Sequence, residues 1–178
     1  IINFLENDGN SVYCSLDKYF YKNMCLEKID IIISSGYAYL IPIEVVERFQ
    51  NRVFNLHASF LPWGKGIGTL FFSMLRFEPL GLSIHLIDKN FDTGSLICRK
   101  LLKPRIKDST RSYYIYSLKK LDHYFMKSWK YIKLGQFMIF DQKKTKFNIK
   151  YNSRNDFEKL ISKLYMGYDT KLLDLSIM

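Results

Sequence analysis

Two stretches of the chain carry apolar side chains in nearly unbroken runs. Ile29-Asp30-Ile31-Ile32-Ile33-Ser34 is rich in β-branched residues and ends at Ser35-Gly36-Tyr37. Leu82-Ser83-Ile84-His85-Leu86-Ile87 is framed by Gly81 and Asp88. Short apolar runs bounded by turn residues predict buried strands. Residues 52–56 and 96–102 read as two more strands, the second lying beside 82–87, and 11–14 as a short one. Elsewhere the spacing is helical. Ile1 to Leu5 reads as the end of an amphipathic helix that stops at Asp8-Gly9. Pro42 opens a helix through Phe49. Leu70, Phe71, Met74 and Leu75 form an apolar stripe over 69–76, which reads as core. The longest helix is predicted over 111–132, capped by Asp108-Ser109-Thr110 and closed by Leu134-Gly135. Ser153-Arg154-Asn155-Asp156 caps another, through Leu164. Residues 16–26 read as helix and loop, 143–150 as a basic loop or strand, and 167–178 as a tail segment. Strands interleaved with helices predict an α/β fold.

Composition narrows the class. Of 178 residues, 48% are hydrophobic, enough for a sizeable core and too many for a disordered chain. The length suits one compact domain with little left for a second. The net charge of +10 has two readings. One is an anionic partner, such as nucleic acid, a membrane surface or a phosphorylated small molecule. The other is compositional bias, which the scattering of the lysines favours. Cys14, Cys25 and Cys98 are far apart and include no Cys-x-x-Cys pair, so neither a zinc site nor a redox dithiol is expected. A reduced cytoplasmic chain is the expectation. No apolar run approaches the roughly 20 residues of a membrane span.

The chemistry concentrates between Phe54 and Gly94. Asn55 and His57 are two apart, so on a strand they point the same way. Asn55 offers an amide donor, and His57 a base whose unperturbed range lies near neutrality. Asp92, in Asp92-Thr93-Gly94, can orient and charge-balance the imidazole. Open α/β sheets bind ligands at the carboxyl ends of their strands, where these residues are expected. Taken alone, the three residues read equally well as a capping Asn, a satisfied buried His and a turn-forming Asp.

The combination of motifs carries more. Asn55-Leu56-His57-Ala58-Ser59-Phe60-Leu61-Pro62, the Gly-rich loop 64–68, Gly81-Leu82-Ser83-Ile84-His85-Leu86-Ile87-Asp88 and Asp92-Thr93-Gly94 resemble, in that order, the folate-dependent formyltransferases. That family includes glycinamide ribonucleotide, methionyl-tRNA and nucleotide-sugar N-formyltransferases. The likeness covers about residues 29–100 well and 129–174 more loosely. Leu61-Pro62-Trp63 followed by a basic-Gly pair is most similar to the sugar branch, with Lys65 where that branch usually has Arg. The resemblance implies an open, mostly parallel twisted sheet flanked by helices, Rossmann-like. It implies a first strand ahead of Ile1, so an N-terminally incomplete catalytic domain is expected over 1–134. A short C-terminal extension over 135–178 would serve substrate binding or dimerisation.

The resemblance also implies roles. Transfer from N10-formyltetrahydrofolate to an amine passes through a tetrahedral intermediate bearing an oxyanion. Asn55 and His57 would serve the oxyanion and the proton, Asp92 would orient His57, and His85 would support them. Tyr39, Leu40 and Ile41, the backbone groups of the last two above all, would hold folate against Asp88 and Phe91. Trp63, Lys65, Tyr151 and Arg154 would meet the acceptor, over a glycine loop read as permitting close approach and movement. Tyr37 reads equally as packing, and Lys65 also as a solvated lysine. The acceptor implied is a dTDP- or GDP-linked amino sugar for surface polysaccharide, with a homodimer expected. A methionyl-tRNA enzyme is the alternative, disfavoured because residues after Lys100 do not read as its barrel domain. A glycinamide ribonucleotide enzyme stands third, disfavoured by the Leu-Pro-Trp signature and the Ser-Arg-Asn-Asp segment, and a non-catalytic, degenerate relative stays open as a different class.

Overall fold

The structure is a computed structural model and describes residues 1–142 and 149–175. Most of the predicted basic segment 143–150 and the end of the predicted tail therefore lie outside the described residues. In chain order the elements begin with α1 (Ile2–Asn7), α2 (Phe20–Asn23), β1 (Ile32–Ser35), α3 (Ile43–Phe49) and β2 (Val53–His57). Then come β3 (Lys65–Gly66), α4 (Thr69–Leu75), β4 (Gly81–Leu86) and β5 (Leu96–Leu101). The chain continues with α5 (Thr110–Leu134), β6 (Tyr151–Asn152), α6 (Arg154–Ile161) and α7 (Leu172–Leu175).

The main sheet runs β1-β2-β4-β5 and is open, with helices against it. It is mixed rather than mostly parallel: β1 and β2 are parallel, whereas β2–β4 and β4–β5 are antiparallel. The loop from β4 to β5 is shorter than the dozen or so residues that a parallel crossover needs. Residues 11–14 form no strand, and Tyr13 and Cys14 are exposed. β1 begins at Ile32 rather than Ile29, and as an edge strand it is only half-buried.

Alternation along the two inner strands separates core from chemistry. Phe54, Leu56, Leu82, Ile84 and Leu86 join one cluster with Leu5, Tyr113, Leu121, Phe125 and Trp129. Val53 belongs to a second cluster, with Ile41, Val45 and Phe49. That leaves Asn55, His57, Ser83 and His85 for the opposite face from the larger cluster. The buried positions of α5 recur three or four apart, a single apolar stripe. Ser109 and Ser112 close a capping box at its start, and Gly135, with φ 68°, ends it.

Two long-range ties complete the body. Asp8 accepts hydrogen bonds from Trp129 Nε1 and Lys133 Nζ, both at 2.8 Å, joining the end of α1 to α5. The Lys133 ammonium, with Trp129 and Asn10, brings the Asp8 carboxyl down to about 2. At the other end, Leu164, Leu172 and Leu175 are buried in the larger cluster, and β6 pairs in parallel with β3. Two glycines of the 64–68 loop answer to this C-terminal packing. A Cβ on Gly66 would lie 2.2 Å from the Asn152 carbonyl oxygen, and one on Gly68 2.1 Å from the Phe157 ring.

Gly68 (φ 63°) and Gly135 (φ 68°) share a left-handed backbone, but a Cβ on Gly135 would meet nothing within 4 Å. Gly135→Ala should cost about 1–2 kcal/mol for backbone strain alone. Gly68→Ala should cost at least about 1 kcal/mol more, because Phe157 must move. Urea unfolding of both variants measures the gap, and equal losses would contradict the packing of Phe157 on Gly68.

Candidate active site

Antiparallel pairing places Asn55 opposite His85 and His57 opposite Ser83. Residues so paired on one face are near neighbours, and the side chains make the contact. Asn55 Nδ2 lies 3.1 Å from His85 Nε2 and donates to Asp92 Oδ1 at 3.2 Å. His85 Nδ1 is 2.7 Å from the Leu86 carbonyl, which can only accept, so Nδ1 carries a proton. In the neutral ring Nε2 is then the acceptor of the Asn55 amide. His85 is 1% exposed, with Nδ1 committed to the Leu86 carbonyl and Nε2 to Asn55.

His57 Nε2 sits 2.8 Å from the Gly64 carbonyl, while Nδ1 faces Asp92 Oδ1 at 3.7 Å. Buried Ser83 steadies the loop between them by donating to the Ser59 carbonyl and accepting from Leu61 N–H. Arg99 holds the Leu61 carbonyl at 2.8 Å. Asp92 is the point of convergence. Its Oδ2 accepts from Gly66 N–H at 2.8 Å, and its Oδ1 lies 3.6 Å from His85 Nε2. Burial opposes a charge on Asp92, but the neighbouring His57 above all, with the Gly66 amide, holds the carboxyl well below the usual carboxylate range.

This cluster opens into a cavity of about 570 Å³. On one side the wall is the 34–41 loop, including Tyr39, Leu40 and Ile41, with Asn90 and Phe91. Among the described residues no hydrogen bond engages the backbone of Tyr39, Leu40 or Ile41. On the other side the wall is Tyr114 of α5, Tyr151, Arg154, Phe157 and Tyr168. Phe91 and Tyr151 pack at 5.8 Å between centroids, a link between the two sides.

Of the residues expected from the sequence, Asn55, His57, His85, Asp92, Tyr39, Leu40, Ile41, Phe91, Tyr151 and Arg154 all line this cavity. Trp63, Lys65 and Asp88 do not. Trp63 stacks on Phe60 at 6.0 Å, which in turn lies under Arg99. Asp88 closes its own loop, accepting from Thr93 Oγ1 at 2.6 Å and from Asn90 N–H. Lys65 is half-buried beside the cluster; burial pushes its ammonium down against the pull of Asp92 and Asp88. Tyr114, Phe157 and Tyr168 were missed by sequence reasoning. Tyr114 lies on the outer face of an amphipathic helix, and Phe157 and Tyr168 belong to no motif that marks them in the sequence.

Open sheet, cavity and polar cluster together define a class, and the formyl transferase family model matches residues 14–128. The chain belongs to that family. Its fold is shared with the formyltransferase PseJ from Anoxybacillus kamchatkensis, crystallised with UDP-4,6-dideoxy-4-formamido-L-AltNAc and tetrahydrofolate. The two are 36% identical with a TM-score of 0.90, over 97% of this chain and 90% of that one. Among curated relatives, a GDP-perosamine N-formyltransferase of Brucella melitensis is 32% identical over 84 residues, 47% of this chain. A chloroplastic phosphoribosylglycinamide formyltransferase of Vigna unguiculata is 30% identical over 90 residues, 46% of this chain. The matched stretches span 32% and 28% of those two proteins. No described helix is long and apolar enough to cross a membrane.

A carboxyl with a depressed folded value stabilises the fold fully above its ordinary value of 3.8 and loses that contribution as pH falls toward the folded value. The advantage of the wild type over Asp92→Asn should therefore be full above about pH 4 and shrink on further acidification. Urea melts of both proteins between about pH 3 and 6 read this difference. An advantage that grows as pH falls would contradict the Asp92 environment described above.

Proposed function

We propose that the protein transfers a formyl group from N10-formyltetrahydrofolate to the amino group of a nucleotide-linked amino sugar. The observation that carries this reading is the position of the Asn55–His57–Asp92 cluster between two unlike walls of one cavity. The 34–41 side has unengaged backbone groups at Tyr39 to Ile41, suited to the donors and acceptors of a pterin, with Phe91 beside them. The other side has an exposed arginine and a set of aromatic rings, suited to a phosphate and a nucleobase. In this division residues 1–134 carry the transfer chemistry, and 135–178 contribute most of the acceptor wall.

The geometry supports a specific division of labour. The Asn55 amide has two hydrogens. One is held by shielded His85; the other, on the longer contact to Asp92, is the one free to turn toward an oxyanion. His57 must release the Gly64 carbonyl to exchange a proton with the reacting amine, and Asp92 is placed to balance the imidazolium. The new C–N bond forms first, giving the tetrahedral intermediate; its collapse breaks the C–N10 bond, and one proton passes from the acceptor amine to N10. His85 acts through Asn55.

Among the nucleotides, UDP is proposed first, ahead of the dTDP and GDP expected from sequence. The support is the UDP-linked 4-formamido sugar bound by the A. kamchatkensis protein, which is matched along nearly its whole length.

The test is a mass-spectrometric formylation assay with N10-formyltetrahydrofolate and UDP-, dTDP- and GDP-linked 3-amino and 4-amino sugars. A formyl gain on one sugar, abolished in His57→Ala, is expected. Asn55→Ala should lower kcat by about 10²–10³-fold, the usual cost of one oxyanion donor. Formylation of charged initiator tRNA and of no sugar would replace this reading with the tRNA enzyme. Silence on every acceptor, with no folate binding by calorimetry, would remove it altogether.

A further inference from the structure

We propose that Gln142 and Asn152 are positioning residues that set the Asp92 carboxylate, Gln142 through the backbone around Thr93 and Asn152 through the Lys65–Gly66 peptide. The inference rests on the catalytic reading of Asp92 given above. Both residues lie beyond the stretch 14–128 that the family model matches.

Asp92 stands in a left-handed conformation, with φ 55°. A non-glycine residue keeps such a backbone only where its surroundings hold it there. Gln142 does so directly. Its Nε2 donates to the Asp92 carbonyl at 3.0 Å and to the Gly94 carbonyl at 2.8 Å. Both amide hydrogens are thus spent on two carbonyls that bracket Thr93. The approach of Gln142 is fixed by its neighbours. Phe140 and Leu96 exchange backbone hydrogen bonds at 2.7 and 2.8 Å, and Ser95 Oγ donates to Asp141 Oδ1. The segment 140–142 therefore runs against the far side of the turn that carries Asp92.

Asn152 works from the other direction. It is fully buried, and its Nδ2 donates to the Lys65 carbonyl at 2.9 Å. The Lys65 carbonyl and the Gly66 N–H belong to one peptide unit. In a trans peptide those two groups point opposite ways. Drawing the carbonyl toward Asn152 therefore aims the N–H at Asp92 Oδ2, which it meets at 2.8 Å. The Asn152 carbonyl accepts from Ile67 N–H at 2.9 Å, so the loop is held on both sides of Gly66.

The two amides share a further property. Gln142 Oε1 and Asn152 Oδ1 are both buried with no hydrogen-bond partner among the described residues. A buried orphan acceptor is costly. Packing alone would be better served by an apolar side chain at either position; what an apolar side chain lacks is the N–H groups. Those donors end on the two backbone segments that define where the Asp92 carboxylate sits.

The experiment uses Gln142→Met, Asn152→Ala and Asp92→Asn in the full chain, with two readouts. The first is the Gly66 amide proton by NMR, which reports the hydrogen bond to Asp92 without any substrate. In both positioning variants it should move from its wild-type resonance toward its position in Asp92→Asn. The second is steady-state kinetics. Each variant should lose about ten- to a hundredfold in kcat, the scale of a small misplacement of a catalytic group, with KM changed by less than about threefold. In the Asp92→Asn background the same substitution should cost less than about twofold, because groups acting as a unit are not additive. A Gly66 resonance that stays at its wild-type position in Gln142→Met overturns the proposal, as does a kcat loss that persists in full without the Asp92 carboxylate. If Asn152→Ala does not fold, the half-buried Gln142→Met decides. If wild-type protein formylates nothing, the transfer reading fails, while the Gly66 resonance still decides whether the two amides set Asp92.

Discussion

The register between β2 and β4 is the constraint on which the rest of the molecule depends. It sets Phe54 against Leu86, Asn55 against His85, and Leu56 against Ile84. Because side chains alternate, one choice of register sends the apolar set into the core and the polar set into the cavity together. A slip of one residue would bury an amide and an imidazole among leucines and turn a phenylalanine toward the cluster. Core energetics therefore fix the geometry of the polar residues. The hydrophobic burial of Phe54, Leu82 and Ile84, all essentially unexposed, defends the contact of Asn55 with His85, a contact too weak to hold itself.

That coupling explains which parts were legible in the sequence. The strand runs around Phe54 and Ile84 are strong local patterns, and Asn55 and His57 inherit their common face from period two. The long helix was readable at both ends because Ser109 and Gly135 are local signals with local causes. The segment 11–14 looked equally strand-like, but a strand needs a neighbour, and pairing is a property of the sheet rather than of four residues. The same limit applies to strand direction, since an apolar run looks alike in parallel and antiparallel company.

Site residues divide along a similar line. The family resemblance implied Trp63, Lys65 and Asp88 as contacts, and none of them lines the cavity. The fold turned Trp63 onto Phe60 and folded Asp88 back on its own loop. The partners of Asp92 that matter most to its backbone come from Gln142, 50 positions away. No periodicity or spacing rule reaches that far. The glycines of the 64–68 loop show the converse case. They were visible as a signal of close approach, but what approaches is the chain itself: Ser59 at Gly64, Asn152 at Gly66 and Phe157 at Gly68.

The attachment of α1 has a consequence for how the molecule assembles. Asp8 is 121 positions from Trp129 and 125 from Lys133. The indole and ammonium that hold it are presented side by side only once the last two turns of α5 exist. Closing so long a loop costs chain entropy before any contact compensates it. α1 can therefore make this attachment only after that end of α5 has formed. Until then the indole N–H of Trp129, a residue only 5% exposed in the folded chain, lacks its carboxylate partner.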